Sequence, residues 1–256
     1  MRRGVMSLYI QSTSFGRGYA WITEAWPYFT RNPLGWIAAM VVFVLISMVV
    51  GIIPLGGIVL NIFYPVVVGG FMLGCIAHKE GGSFEFQHMF AGFKDPYFKR
   101  LAMLGVFYTI LTVAAVILVG ILAFVMLGGF EFFQEIEQAQ AEDLSAYATD
   151  IMLLSLIAAT LFTPCVMAIW FAPTIIISSE ETAFSAMQLS FNACLRNVLP
   201  FALYGIVVFI LVIIASIPFM LGYLVLLPIL SASVYVSYLD CFKSDISDDP
   251  TQLLPR

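Results

Sequence analysis

Residues 34–53, LGWIAAMVVFVLISMVVGII, form an uninterrupted stretch with no Asp, Glu, Lys, Arg or His. Roughly 20 consecutive apolar residues are what a helix needs to cross the hydrocarbon core of a bilayer. The run from Met40 to Val50 shows no alternation of apolar and polar residues, whereas the strands of a membrane barrel alternate. Because a backbone in lipid must satisfy its own hydrogen bonds, this stretch predicts a membrane-spanning helix.

Five further stretches lack the same five residue types and are long enough to span. Between the last two, Pro218 and Gly222 favour a tight hairpin near residues 218–223, since one continuous helix would overshoot any bilayer. The sequence therefore predicts an all-α polytopic bundle of six spans, with residues 1–243 as one integral membrane domain and 244–256 as a short tail. The five further spans are residues 57–77, 101–127, 151–177, 199–220 and 222–239.

The composition excludes a water-soluble domain. Only 11% of the residues are charged and 61% are hydrophobic, whereas soluble domains carry about 25% charged residues. We therefore expect membrane lipids as partners. A membrane protein partner is a further expectation, nucleic acid is not expected, and the oligomeric state stays open.

The positive charges predict an orientation. All 11 Lys and Arg residues lie before the first span, between the second and third, between the fourth and fifth, or after the sixth. Cytoplasmic loops are enriched in Lys and Arg, so both termini are expected in the cytoplasm. The loop 128–150 is then periplasmic, and it carries the acidic residues Glu131, Glu135, Glu137, Glu142, Asp143 and Asp150.

Aromatic and apolar residues recur at helical spacing before each odd-numbered span. Such stripes predict up to three helices that lie in the cytoplasmic membrane interface. With proline-bearing even spans, they suggest a pseudo-threefold repeat over residues 18–80, 84–181 and 183–243. The alternative is that inner-membrane proteins commonly place aromatic and basic residues before their spans. The stripes are Ile22, Trp26 and Phe29, then Phe86, Phe90 and Phe93, then Phe184, Met187, Phe191 and Leu195.

Three residues within the spans are candidates for helix packing. Asn61 is the most polar of them and suits a specific interhelical hydrogen bond. Gly70 and Gly74 form a GxxxG pattern, which permits close helix contact within one chain or a dimer face. No catalytic, cofactor-binding or metal-binding residues are predicted, because the spans hold no charge and the chain shows no phosphate loop, nucleophile elbow or zinc motif.

Several short motifs carry a family resemblance. The segment Trp21 to Trp26 with Arg31-Asn32-Pro33, and the later Gly69-Gly70-Phe71-Met72 and Leu195-Arg196-Asn197, resemble a family of uncharacterised bacterial six-helix inner-membrane proteins. The plan is more loosely similar to the membrane domain fused to some glycerophosphoryl diester phosphodiesterases. The resemblance implies a Gram-negative inner membrane and no catalytic residues.

The favoured function is a non-enzymatic membrane protein that organises lipid or a partner complex. The alternative is a transporter or channel for a small neutral or amphiphilic solute. A membrane-embedded enzyme is disfavoured, because the spans lack paired carboxylates and histidine. A transporter predicts a polar cavity near mid-membrane, whereas an organising protein predicts an apolar interior with segments spread along one membrane surface.

Overall fold

The computed structural model describes residues 8–130 and 147–244. Six helices in this part are long and apolar enough to cross a membrane, which confirms the predicted polytopic helical bundle. The fourth span is built from two consecutive helices. The elements are β1 (Leu8–Ile10), α1 (Arg17–Thr30), α2 (Pro33–Ile52), α3 (Gly56–Lys79), a 3₁₀ segment (Phe86–Phe93), α4 (Phe98–Met126), α5 (Ala148–Trp170), α6 (Ala172–Ser178), α7 (Ala183–Arg196), α8 (Val198–Ser216), α9 (Tyr223–Cys241) and β2 (Phe242–Ser244).

Local sequence explains where the first span begins. Pro33 occupies the first turn of α2, where its missing N–H costs nothing. The side chain of Asn32 caps the same turn by accepting a 3.1 Å hydrogen bond from the amide of Gly35. The Arg31-Asn32-Pro33 motif therefore ends α1 and starts α2 within a few residues.

The three stripes lie on α1, the 3₁₀ segment and α7. The second element is a 3₁₀ helix of eight residues rather than an α-helix. A capping box between Glu85 and His88 caps its first turn. Tight 3₁₀ turns suit such a short connector between two spans. The acidic positions 131–143 of the predicted periplasmic loop lie outside the described residues.

On α7 the small residues are buried, together with Met187 of the predicted stripe. Ala186, Ser190 and Ala193 are buried against the protein, while Phe184 and Leu195 of the predicted stripe are exposed. On α1 the stripe divides, since Ile22 and Phe29 are buried whereas Trp26 is exposed. The stripe pattern thus marked the right elements, but only some of its side chains face away from the protein.

Both ends of the described chain meet on one side of the bundle. Strand β1 pairs antiparallel with β2, with Leu8 opposite Ser244 and Ile10 opposite Phe242. The amide of Gln11 continues the pairing by donating 2.8 Å to the carbonyl of Cys241. An even number of spans requires the two termini to share a side, and this sheet joins them there.

The described residues separate into two compact units. One contains the chain up to Phe107 together with the residues from Met167 onward, and the other contains Tyr108 to Val166. In the second unit, the hydroxyls of Ser155, Thr160 and Thr163 each donate to a carbonyl four residues earlier in their own helix. Such internal pairing lets hydroxyl groups face lipid.

Candidate functional site

Asparagine and arginine side chains link the start of one span to the segment before the next interfacial element. The Nδ2 of Asn32 donates 2.8 Å to the carbonyl of Phe84, just before the 3₁₀ segment. The guanidinium of Arg31 donates to the carbonyl of Gly81 in the same stretch. These hydrogen bonds therefore fasten the residues just before the 3₁₀ segment to the start of the first span.

Two equivalent links follow along the chain. Arg100, at the start of α4, donates 2.8 Å to the carbonyl of Ser179 just before α7. Asn197, at the start of α8, donates 2.8 Å to the carbonyl of Gln11 and accepts a 2.8 Å hydrogen bond from the amide of Thr13, just before α1. The third link returns to the first element, so the three links close a ring.

The ring places each interfacial element on the preceding pair of spans. Helix α1 packs on α8 and α9, and the 3₁₀ segment packs mainly on α3. Gly18 of α1 fits so tightly that a Cβ would overlap the carbonyl oxygen of Pro200. This cyclic order is what a threefold repeat would produce, although the repeat itself stays a prediction.

Charged side chains anchor α1 to the end of α9. The Nε of Arg17 lies 2.5 Å from Oδ2 of Asp240, and its two terminal nitrogens bond both carboxylate oxygens of Glu24. Trp21, fully buried, donates 2.7 Å from Nε1 to the same Oδ2 of Asp240. The hydrogen bonds that Arg17 donates, first to Glu24 and second to Asp240, raise its pKa above the ordinary value, so its positive charge is retained.

Burial also raises the pKa values of two further side chains, one on α1 and one on α7. Burial raises the pKa of Tyr28 on α1 to about 12, with a smaller contribution from Cys75 and Glu24. Burial likewise raises the pKa of the Cys194 thiol on α7. A thiol of raised pKa is protonated and unreactive at neutral pH, which argues for a packing role at Cys194.

Ser190 bridges a broken helical hydrogen bond at the α5–α6 junction. Its hydroxyl accepts a 2.9 Å hydrogen bond from the amide of Phe171 and donates 2.7 Å to the carbonyl of Met167. These two backbone groups are four residues apart and would pair directly in a regular helix. Insertion of a side chain at this point is a recognised cause of a helix break, and it fastens α7 to the fourth span.

An apolar groove of about 590 Å³ lies where α8 and α9 approach their shared turn. Its walls come from residues 211–218 and 222–229, and α1 closes one end with Ile22, Thr23 and Trp26. The hydroxyl of Thr23 already donates to the carbonyl of Ala20. The lining therefore offers a contact surface for hydrocarbon. We name this the α8–α9 groove.

A second groove of about 250 Å³, the α2–α3 groove, occupies the matching place in the first hairpin. Residues 43–50 and 59–67 form its walls, and Met89, Phe90 and Phe93 of the 3₁₀ segment close it. In both grooves one wall ends just beyond a buried proline, Pro65 or Pro228. Each groove is thus made by one hairpin and the interfacial element that the ring places on it.

The three predicted packing residues all lie on α3. A Cβ at Gly70 would overlap the carbonyl oxygens of His88 and Met89, and one at Gly74 would overlap the ring of Phe84. Both glycines therefore pack against the 3₁₀ segment and its approach within one chain. Asn61 is half-buried on the same helix.

Sequence reasoning missed most of the residues that build this region. Asn32 and Asn197 entered only through the motifs of the family resemblance, and Arg100 only as one of the 11 basic residues. A polar residue directly before a span is the available signal. Nothing in the sequence marks Ser190 as a bridging residue. The carbonyl and amide that it bonds belong to another helix, and they need a partner only because that helix is broken between them.

The chain is similar to a probable inner membrane protein of Burkholderia thailandensis. The two are 29% identical over 225 residues, which cover 85% of this chain and 80% of that protein. This similarity and the six apolar spans together decide what kind of protein the chain is. The chain is a multi-pass inner-membrane protein. No family model and no solved structure matches it, so the likeness to the membrane domain of phosphodiesterases stays a prediction.

Proposed function

We propose that this inner-membrane protein is non-enzymatic and organises the lipid around it by holding acyl chains in its two grooves. The α8–α9 groove is the observation that carries the proposal, because its volume of about 590 Å³ lies within the range of ligand-binding clefts, roughly 300–1,000 Å³. Its walls belong to two membrane spans, so the material beside it is hydrocarbon.

Shape, rather than hydrophobicity, provides the affinity. Within a bilayer an acyl chain gains nothing by leaving other chains, and association rests on van der Waals packing. A concave wall contacts a chain on several sides, and each atom pair contributes about 0.1–0.2 kcal/mol. The ring fixes α1 and the 3₁₀ segment on their hairpins, so that the α8–α9 groove stays open to one chain and the smaller α2–α3 groove to part of one.

Native mass spectrometry of the protein released gently from its membrane tests the proposal. The wild type is expected to retain lipid in a fixed small number. In Val225→Trp the new ring fills the α8–α9 groove, and one retained lipid should be lost. Ile213→Trp, on the exposed face of α8 and outside the groove, is the matched control and should retain the wild-type number. Equal lipid numbers in the two variants would contradict the proposal.

The orientation is part of the same proposal. We place both termini and the ring in the cytoplasm and the loop 128–150 in the periplasm. The support is the distribution of Lys and Arg together with the pairing of β1 with β2. A cysteine at Gln138 should react with a membrane-impermeant maleimide in intact spheroplasts, whereas one at Glu80 should not. The reverse result inverts the orientation.

One observation favours the alternative, a transporter or channel for a small neutral or amphiphilic solute. Three buried polar atoms have no hydrogen-bond partner among the described residues, namely Nδ1 of His78, Nε1 of Trp170 and Oγ1 of Thr174. Buried polar groups are normally paired, so a transported solute would account for them. Swelling of proteoliposomes in glycerol tests this alternative. Faster swelling than in protein-free liposomes, lost in Thr174→Val, supports it, and unchanged swelling opposes it.

A further inference from the structure

The turns at the ends of the first and third hairpins contain no polar side chain. The α2–α3 turn reads IIPLGG over residues 52–57, and the α8–α9 turn reads IPFMLG over residues 217–222. Turns that face water draw on Asn, Asp and Ser as well as Gly and Pro. Here the large side chains are exposed instead, with Ile52 at 84%, Leu55 at 75% and Phe219 at 96% of their full surface.

The backbone of both turns is strained by these side chains. Leu55, Phe219 and Met220 have positive φ angles of 65°, 49° and 65°. A side chain other than glycine in this region costs about 1–3 kcal/mol. Asn or Gly would avoid this cost in a turn that faces water, and large apolar side chains at these positions suit contact with hydrocarbon.

Most backbone amides of the α8–α9 turn are paired with carbonyls of the turn or of the end of α8. The amides of Ile217, Phe219, Met220, Leu221 and Tyr223 donate to backbone carbonyls at 2.9–3.3 Å. The hydroxyl of Ser216 donates 2.8 Å to the carbonyl of Val212 and lies 3.0 Å from the hydroxyl of Tyr223. Backbone outside helices is tolerated at membrane depth only where its polar groups are satisfied, and the five amides named above meet that condition.

In each hairpin, the part between the contact with α1 or the 3₁₀ segment and the turn is also short. Gly18 of α1 contacts the backbone of Tyr204, and the helix from Tyr204 to Ile217 is roughly 20 Å long. In the first hairpin, the distance along α3 from Gly70, which contacts the 3₁₀ segment, to Gly56 is roughly 21 Å. The hydrocarbon core is about 30 Å thick, and the whole of α2 and of α8 is roughly 30 Å and 28 Å long, so each turn lies at the far end of the core with no helix length left to carry it into water.

We propose that both turns end among the acyl chains of the leaflet opposite the interfacial ring. The surface formed by Ile52, Leu55, Phe219 and Met220 is then an interaction surface for lipid hydrocarbon, separate from the two grooves. It extends the contact with lipid to the second leaflet. The turns could contact hydrocarbon even if the grooves held no chain, so this proposal and the proposed function fail separately.

Collision accessibility of a spin label tests the depth of the turns. Single cysteines replace Phe219 or Leu55, and the protein is labelled and reconstituted in phosphatidylcholine with 18-carbon chains. The four native cysteines are buried and remain in place, and the unsubstituted protein measures any background labelling. Labels at Ile213, on the exposed face of α8, and at Glu180, an exposed position next to α6, are the lipid and water references.

We expect the labels at 219 and 55 to collide with oxygen several-fold more often than with a nickel chelate, as at Ile213. At Glu180 the order should be reversed. If Phe219→Cys fails to fold, the Leu55 site in the other hairpin tests the same proposal. Turn labels that behave like the label at Glu180 would overturn it, whatever the number of lipids retained on the protein.

Discussion

Asn197 holds Gln11 across 186 positions of sequence, through a 2.8 Å hydrogen bond from its side-chain Nδ2 to the Gln11 carbonyl. Asn197 is almost fully buried, and its Oδ1 accepts hydrogen bonds from the amide and hydroxyl of Thr13. One side chain therefore closes the ring by fastening the chain before α1 to the start of the fifth span.

Replacing Asn197 with Ala should destabilise the protein by about 1–3 kcal/mol, because the amide of Thr13 and the carbonyl of Gln11 lose their buried partner. Thermal unfolding in mild detergent measures the change. Asn192→Ala is the matched control, since Asn192 is exposed on α7. Equal losses of stability in the two variants would show that the hydrogen bonds of Asn197 do not hold the ring closed.

Ser190→Ala should cost about 1–3 kcal/mol as well, because the buried amide of Phe171 and carbonyl of Met167 are both left unpaired. The same unfolding experiment reports it. Ser155→Ala removes an exposed hydroxyl that bonds only its own helix, and it should change stability by a few tenths of a kcal/mol. A Ser190→Ala variant as stable as Ser155→Ala would argue against the bridging role.

Gly70→Ala should destabilise the monomer by about 1–3 kcal/mol, because the added methyl group overlaps the backbone of the 3₁₀ segment. Gly205→Ala is the control, since open space surrounds Gly205 and Ala is the better helix former. Analytical ultracentrifugation in detergent separates this effect from dimerisation. A Gly70→Ala variant of unchanged stability and altered oligomeric state would favour a dimer face instead.

Trp21→Phe keeps an aromatic ring in the core but removes the hydrogen bond from Nε1 to Asp240. Hydrogen bonds to charged groups contribute about 1.5–3 kcal/mol, and a loss of that size is expected. A double-mutant cycle with Asp240→Ala, which removes the acceptor, should give a coupling energy above about 0.5 kcal/mol. Additive effects would mean that Trp21 acts through ring packing alone.

The spans were predictable because their cause is local. Each one is a run of apolar residues long enough for the bilayer, so residues 34–53 could be assigned without knowledge of any contact. The hairpin near residues 218–223 was predictable for the same reason, from Pro218 and Gly222. The stripes located α1, the 3₁₀ segment and α7, since helical spacing is also a property of neighbouring residues.

The ring and the grooves could not be predicted, because their causes are distant in sequence. Asn197 and Gln11 are 186 positions apart, and nothing local marks Ser190 as the partner of Met167. The grooves depend on which hairpin each interfacial element covers. Periodicity shows that α1 has an apolar face, but it does not show that α8 and α9 pack against that face.

Photo-crosslinking with a phospholipid that carries a diazirine in one acyl chain tests whether the α8–α9 groove holds acyl chains. We expect crosslinks concentrated in residues 211–229, saturating with lipid concentration and suppressed in Val225→Trp but not in Ile213→Trp. Crosslinks that follow side-chain exposure, as strong at Ile110 and Ile117 on the exposed face of α4 as in the groove and unaffected by Val225→Trp, would contradict it.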